Sequence, residues 1–213
     1  MKKIIYFVLL FPYLLFANIF EPFPKGLSIQ MTACYPSLSW DVNLYDTENG
    51  DREVLWIKPN FKINYEIHPI NRYYMNTFIG YGTLGGKSKT KPNGYKDKIT
   101  INSLEIGIIN SIKYFDIKIG VGFKWNKYLD IIQEHYGYLY TDDESREWIK
   151  NDLSWFFRTS SYDWGIRASR LLIGNINVSI EYWSSIFDIE SKDKSKDLNI
   201  RSKLVCLGIG YNF

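Results

Sequence analysis

The sequence predicts an all-β fold, an eight-stranded antiparallel up-and-down transmembrane β-barrel. Three observations point there. Apolar and polar residues alternate with period two through eight segments, as in strands with one apolar face. The connections between these segments alternate short and long. The glycines within the segments (Gly80, Gly82, Gly107, Gly120, Gly122, Gly165, Gly208 and Gly210) share the polar face. A length of 213 residues suits one domain. The slightly negative mean hydropathy excludes a bundle of membrane-spanning helices, which needs several apolar runs of about 20 residues. A charged fraction of 23% is ordinary, which excludes wholesale disorder, and two cysteines exclude a disulfide-dense mini-fold. The 37 aromatic residues (17 Tyr, 13 Phe, 7 Trp) exceed what one packed core needs.

Residues 1–17 have the order of a secretory signal peptide. Lys2 and Lys3 are followed by an apolar run from Ile4 to Phe16, interrupted only by Pro12, with a cleavage point at Ala17-Asn18. The run is too short to span a bilayer as a helix, and no cysteine follows Ala17 to carry a lipid anchor. A short segment, 18–26, leads into a barrel expected over 27–213. Without Lys2 and Lys3 the chain carries 24 basic against 23 acidic residues, so its charge gives no reason to expect nucleic acid.

The apolar rows run as follows. Strand one carries Leu27, Ile29, Met31, Ala33 and Tyr35; strand two carries Leu55, Ile57, Phe61, Ile63, Tyr65 and Ile67. Strand three carries Tyr73, Met75, Thr77, Ile79 and Tyr81, and strand four Leu104, Ile106 and Ile108. Strand five follows with Phe115, Ile117, Ile119, Val121, Phe123 and Trp125, and strand six with Trp164, Ile166 and Ala168. Strand seven has Ile176, Val178, Ile180, Tyr182 and Ile186; strand eight has Val205, Leu207, Ile209, Tyr211 and Phe213. Short turns are expected near His68-Pro69-Ile70-Asn71, near Asn110-Ser111-Ile112 and near Gly174-Asn175; long polar loops are expected at about 42–52, 85–97, 127–160 and 188–197.

A soluble ligand-binding barrel alternates too, with its apolar face inside. The glycine-bearing polar face favours the membrane form, because a narrow lumen needs small residues and paired charges. Bulky rings near the strand ends (Trp125 and Trp164 at the loop end; Tyr65, Tyr73, Phe115, Tyr211 and Phe213 at the turn end) suit the two membrane interfaces.

The final strand, Val205-x-Leu207-x-Ile209-x-Tyr211-x-Phe213, resembles the C-terminal signature of bacterial outer-membrane β-barrels. With the signal peptide, eight strands and loop asymmetry, the chain is similar to small eight-stranded members of that class, with no particular subfamily evident. The resemblance implies short periplasmic turns, longer extracellular loops and an assembly signal at Val205, Leu207, Ile209, Tyr211 and Phe213. It implies as partners the barrel-assembly machinery, outer-membrane lipids with lipopolysaccharide, and a host or cell-surface partner met through the loops.

On this reading Lys58, Lys62, Glu66, Glu105, Asp116, Lys118, Lys124, Arg167 and Glu181 enter the lumen as a nearly balanced ion network. Unpaired buried charges are costly, so a plugged, non-conducting core is expected over a pore. Cys34 and Cys206 fall on the inward faces of the first and last strands. If Leu27 lies opposite Phe213 the two thiols face each other, close enough for a disulfide; a shifted register leaves two separate thiols. In the longest loop, Thr141-Asp142-Asp143-Glu144 resembles a capping box, and Trp148, Ile149, Leu153 and Phe156 recur at roughly helical spacing. A short helix or strand extensions rising above the membrane are both open there. Lys87, Lys89, Lys91, Lys96 and Lys98 in the second loop are weak candidates for lipopolysaccharide phosphate. His135 beside Glu134, with Ser145 and Ser154 in the same loop, leaves a lipid A-modifying enzyme as the alternative to a non-enzymatic surface protein, although the spacing matches no known triad. His68 sits in a turn. No nucleotide-binding or zinc motif is present, so no cofactor or metal is expected.

Overall fold

The computed structural model describes residues 26–41, 53–54, 57–87, 96–138, 146–155, 157–187, 189–190 and 199–213. The signal-peptide expectation and the 141–144 capping box lie outside them. Eight strands make the wall: β1 (Leu27–Asp41), β3 (Lys58–Ile70), β4 (Tyr73–Lys87), β5 (Lys96–Tyr114), β6 (Ile117–Tyr138), β8 (Ser160–Leu171), β9 (Ile176–Ser185) and β11 (Asn199–Asn212). Each pairs antiparallel with its neighbours along the chain, and β1 closes on β11. Three short strands, β2 (Glu53–Val54), β7 (Arg146–Asp152) and β10 (Ile189–Glu190), attach to β4, β6 and β11. Among the described residues there is no helix.

Parity sets the faces. Along β1, residues 32, 34, 36 and 38 are buried while 31, 33 and 35 are exposed. Ile63, Ile79, Ile106, Val121, Phe123, Ile166, Ile180 and Leu207 all point outward and are exposed. Such a surface is untenable in water but natural in hydrocarbon, so the apolar face is outside, opposite to a soluble barrel. Closure also removes the open sheet edges that lipid cannot hydrogen-bond.

The turn at Gly174–Asn175 falls where the sequence expects it, and the other two lie further along the chain. The first falls at Asn71–Arg72 and the second at Phe115–Asp116, with β5 running to Tyr114. Arg72 (φ 69°) and Phe115 (φ 51°) take left-handed conformations without being glycine, so no residue-type signal marked either turn. Phe115 and Asp116 therefore do not belong to a strand. Ile186 lies just past β9, and β3 begins at Lys58.

The long insertion is strand over 128–138 and 146–152. β6 leaves β8 after the Lys127–Ser160 pair and continues past the barrel, pairing with β5 on one edge and with β7 on the other. Trp148 and Ile149 sit in β7, opposite Tyr136 and His135. Of the short helix and the strand extensions left open by the sequence, the described residues form strand: a strand already standing above the rim offers unpaired backbone groups, and hydrogen bonds to it outweigh a weak helical periodicity. A turn follows, in which the Ser154 N–H donates to Asp152 Oδ1 at 2.8 Å. Bonds from Ser154 hold the Asp152 carboxyl below its usual range.

Candidate functional site

The lumen is filled by polar side chains from every wall strand, and two ion clusters occupy its centre. Lys124 is fully buried, 2.9 Å from Glu105 Oε1 and 3.5 Å from Asp163 Oδ2. Glu181, also fully buried, receives Lys62 at 2.5 Å and lies 3.7 Å from Arg167 Nε. Gln30 bridges this second cluster: its Nε2 donates to Ser179 Oγ at 2.7 Å and to Glu181 Oε1 at 3.0 Å, and its Oε1 accepts from Arg167. The clusters hold three cations against three acids, so the barrel centre carries no net formal charge.

Trp183 joins the two clusters. Its indole N–H donates to Glu181 Oε2 at 2.9 Å, and the Lys62 and Lys124 ammonium groups lie 5.5 and 5.2 Å from its ring. Glycines make the room. A Cβ at Gly165 would lie 2.4 Å from Trp183 Cε3, and one at Gly107 would lie 2.4 Å from Phe78 Cζ. The Phe78 and Trp183 rings meet edge to face at 5.9 Å.

Towards the loop end the lumen turns apolar. Leu38, Leu84, Ile99, Ile101, Ile131, Ile200 and Leu204 are buried there with Phe157 and Ile189. Cys34 stands opposite Cys206, and their sulfurs form a disulfide across the β1–β11 seam. In this register Ser28 lies opposite Asn212, and the Phe213 N–H donates to the Leu27 carbonyl.

The nine charges expected in the lumen separate into groups. Lys62, Glu105, Lys124, Arg167 and Glu181 form the central clusters. Glu66 and Lys118 pair at 2.5 Å, half-buried at the turn-end mouth. Lys58 stands opposite Cys34 and has no acidic partner among the described residues. Asp116 is not in the lumen at all. It sits on the turn after β5, exposed and 3.7 Å from Arg170, because the turn falls four residues later than expected. The sequence reading missed Asp163 and Trp183. Both share parity with residues it did place inward, Asp163 with Gly165 and Arg167, and Trp183 with Glu181. That parity was the available signal.

The lysines assigned to the second loop are partly strand. Lys87 ends β4 opposite Lys98, and Lys96 opens β5; Lys89 and Lys91 lie outside the described residues. Lys98 pairs with Glu134, so it is not a free phosphate ligand. Glu134 of that pair is a strand residue of β6, and Ser154 Oγ accepts the Ile131 N–H at 3.0 Å. His135 is a strand residue of β6, and Ser145 lies outside the described residues. No group of three potential metal ligands occurs among the described residues. Val205, Leu207 and Ile209 of β11 face outward and are exposed.

No protein-family description matches the chain, and no curated protein matches it. Solved structures do. The outer-membrane protease OmpT from Escherichia coli aligns with a TM-score of 0.50 at 12% identity, over 93% of this chain and 99% of that one. Ail, the attachment invasion locus protein of Yersinia pestis, aligns at 0.48 and 12% identity over 89% of this chain and 100% of its own. Neisserial surface protein A gives 0.46 and 14% over 89% and 98%. At such identities the likeness concerns fold alone. This chain is folded as outer-membrane β-barrels are.

Proposed function

We propose that this chain is a bacterial outer-membrane protein that acts at the cell surface without catalysis, in a structural, adhesive or host-contacting role. The observation that carries the reading is the pairing of an apolar outer wall with a packed, charge-balanced lumen. Such a molecule lives in a bilayer and has nothing to conduct through its centre. What remains to meet a partner is the part that leaves the membrane, chiefly the β5–β6–β7 extension. On this reading the turn end faces the periplasm, lipopolysaccharide surrounds the loop end, and β11 is the segment read by the barrel-assembly machinery. Cys34 and Cys206 are oxidised together in the periplasm. The Yersinia protein is named for attachment and the Escherichia protein is a protease, but neither role passes to this chain at 12% identity.

The test is direct. Cells expressing the protein are fractionated and the outer-membrane fraction is run unboiled and boiled. A heat-modifiable band is expected there, and protein confined to the soluble periplasm overturns the location. Expressing cells are then compared with cells lacking residues 128–158 for binding to host cells or matrix. Equal binding removes the surface role of the extension, and a change in lipid A acyl chains by mass spectrometry restores the enzyme alternative.

A further inference from the structure

At the turn end the lumen opens into a vestibule of about 300 Å³, built from all eight wall strands. Its charge is uneven. Lys113, Lys118, Arg167 and Arg170 line it with Glu66 and Asp116, and Glu181 just inside meets Arg167 at 3.7 Å, so one positive charge is left over. Lys113 and Lys118 are register partners on β5 and β6, so two like charges stand directly opposite each other. That arrangement destabilises a sheet unless something neutralises it. Glu66 answers Lys118, but no acid answers Lys113 among the described residues. Neutral groups in the same vestibule are also left unmatched. Asn76 is 6% exposed and its Oδ1 has no donor, and Asn177 Oδ1 has none.

We propose that this vestibule is a binding site for a small hydroxylated phosphomonoester. A phosphomonoester is anionic at neutral pH and answers the unpaired charge of Lys113. Its oxygens accept from Lys113 and Arg167, and its hydroxyls donate to the orphaned amide oxygens of Asn76 and Asn177. The cavity lies at the mouth of the lumen, inside the wall, so the ligand is a water-soluble phosphate and not a lipid head group. The site goes beyond the surface role proposed above and does not depend on the loops.

Glycerol 3-phosphate is the probe, titrated calorimetrically into the full-length mature protein in neutral detergent at low salt, with glycerol as the uncharged control. Saturable binding of the phosphate and none of glycerol is expected. Lys113→Gln, which breaks no ion pair, should weaken binding about tenfold, as loss of one charge-assisted hydrogen bond does. Asn76→Asp, which places a carboxylate in the vestibule, should weaken it at least as much. Both variants are checked for heat-modifiable migration, so loss of fold is distinguishable from loss of the site. No saturable binding to the wild type, or unchanged affinity in folded Lys113→Gln, overturns the proposal. Saturable binding of micellar phosphatidic acid without any uptake of glycerol 3-phosphate overturns the choice of a soluble ligand.

Discussion

At the residue scale, Lys124 and Trp183 show how a barrel this narrow stays closed. An ammonium with no solvent exposure is tolerable only because Glu105 and Asp163 flank it. Lys124→Met leaves two carboxylates facing each other in a dry lumen. It should cost about 3–5 kcal/mol or prevent folding, as removing one partner of a buried ion cluster does. Adding Glu105→Gln and Asp163→Asn should recover most of the loss. Urea unfolding in lipid vesicles, followed by tryptophan fluorescence, measures both. A triple variant no more stable than Lys124→Met would show that the cluster does not act through charge pairing. Gly165→Ala tests the other contact. Its methyl group meets both the Trp183 ring and the Tyr182 carbonyl, and the backbone cannot yield. Destabilisation of about 1–3 kcal/mol is expected, and the added Trp183→Leu should relieve it.

At the element scale, β1 and β11 are ordinary antiparallel strands whose pairing spans the whole sequence. Fourteen residue pairs, Ser28–Asn212 to Asp41–Asn199, make the seam without a register shift. The Cys34–Cys206 bond lies within it at a sequence separation of 172. A cross-link closing so long a loop restricts the unfolded chain, so Cys34→Ser with Cys206→Ser should lower stability by about 2–5 kcal/mol in unfolding titrations. Alkylation of unreduced mature protein should label neither thiol. Two labelled cysteines would refute the bond. β6 shows a different element-level outcome, since one strand serves the membrane wall over its first half and the extension over its second. Its edge facing β8 is released at Lys127 and taken up by β7 at Ile132.

At the scale of the whole molecule, the lumen is a stack. A cationic vestibule at the turn end leads to two neutral ion clusters around Trp183, with the disulfide on the wall beside Glu181, then to an apolar layer under the loops. On the proposed reading the central layers leave no continuous water path. Planar-bilayer recordings of the purified barrel should show no discrete conductance, and a stable single-channel step would place a pore where Trp183 now stands. Trp183→Ala is the informative variant, because it vacates the middle of the stack. The stack also assigns stability and recognition to different parts, with the clusters holding the wall and the vestibule and extension left free to meet ligands.

The sequence by itself determined the strand number, the two faces and the seam. Each of these rests on side-chain parity, a property carried by every residue and its next-but-one neighbour. Inward glycines and charges were legible for the same reason, and so was the alignment of Cys34 with Cys206 once the ends of β1 and β11 were matched. The tertiary structure alone decided the rest. Phe115 at positive φ moved a turn and carried Asp116 out of the lumen, since backbone conformation at a non-glycine residue leaves no mark on composition. Residues 146–152 became strand because β6 offered them a partner, which local spacing does not record. Lys62 of β3 meets Glu181 of β9 across a closed cylinder, with β1 and β11 standing between them. Parity says which charges point inward, and only closure of the barrel says which of them touch.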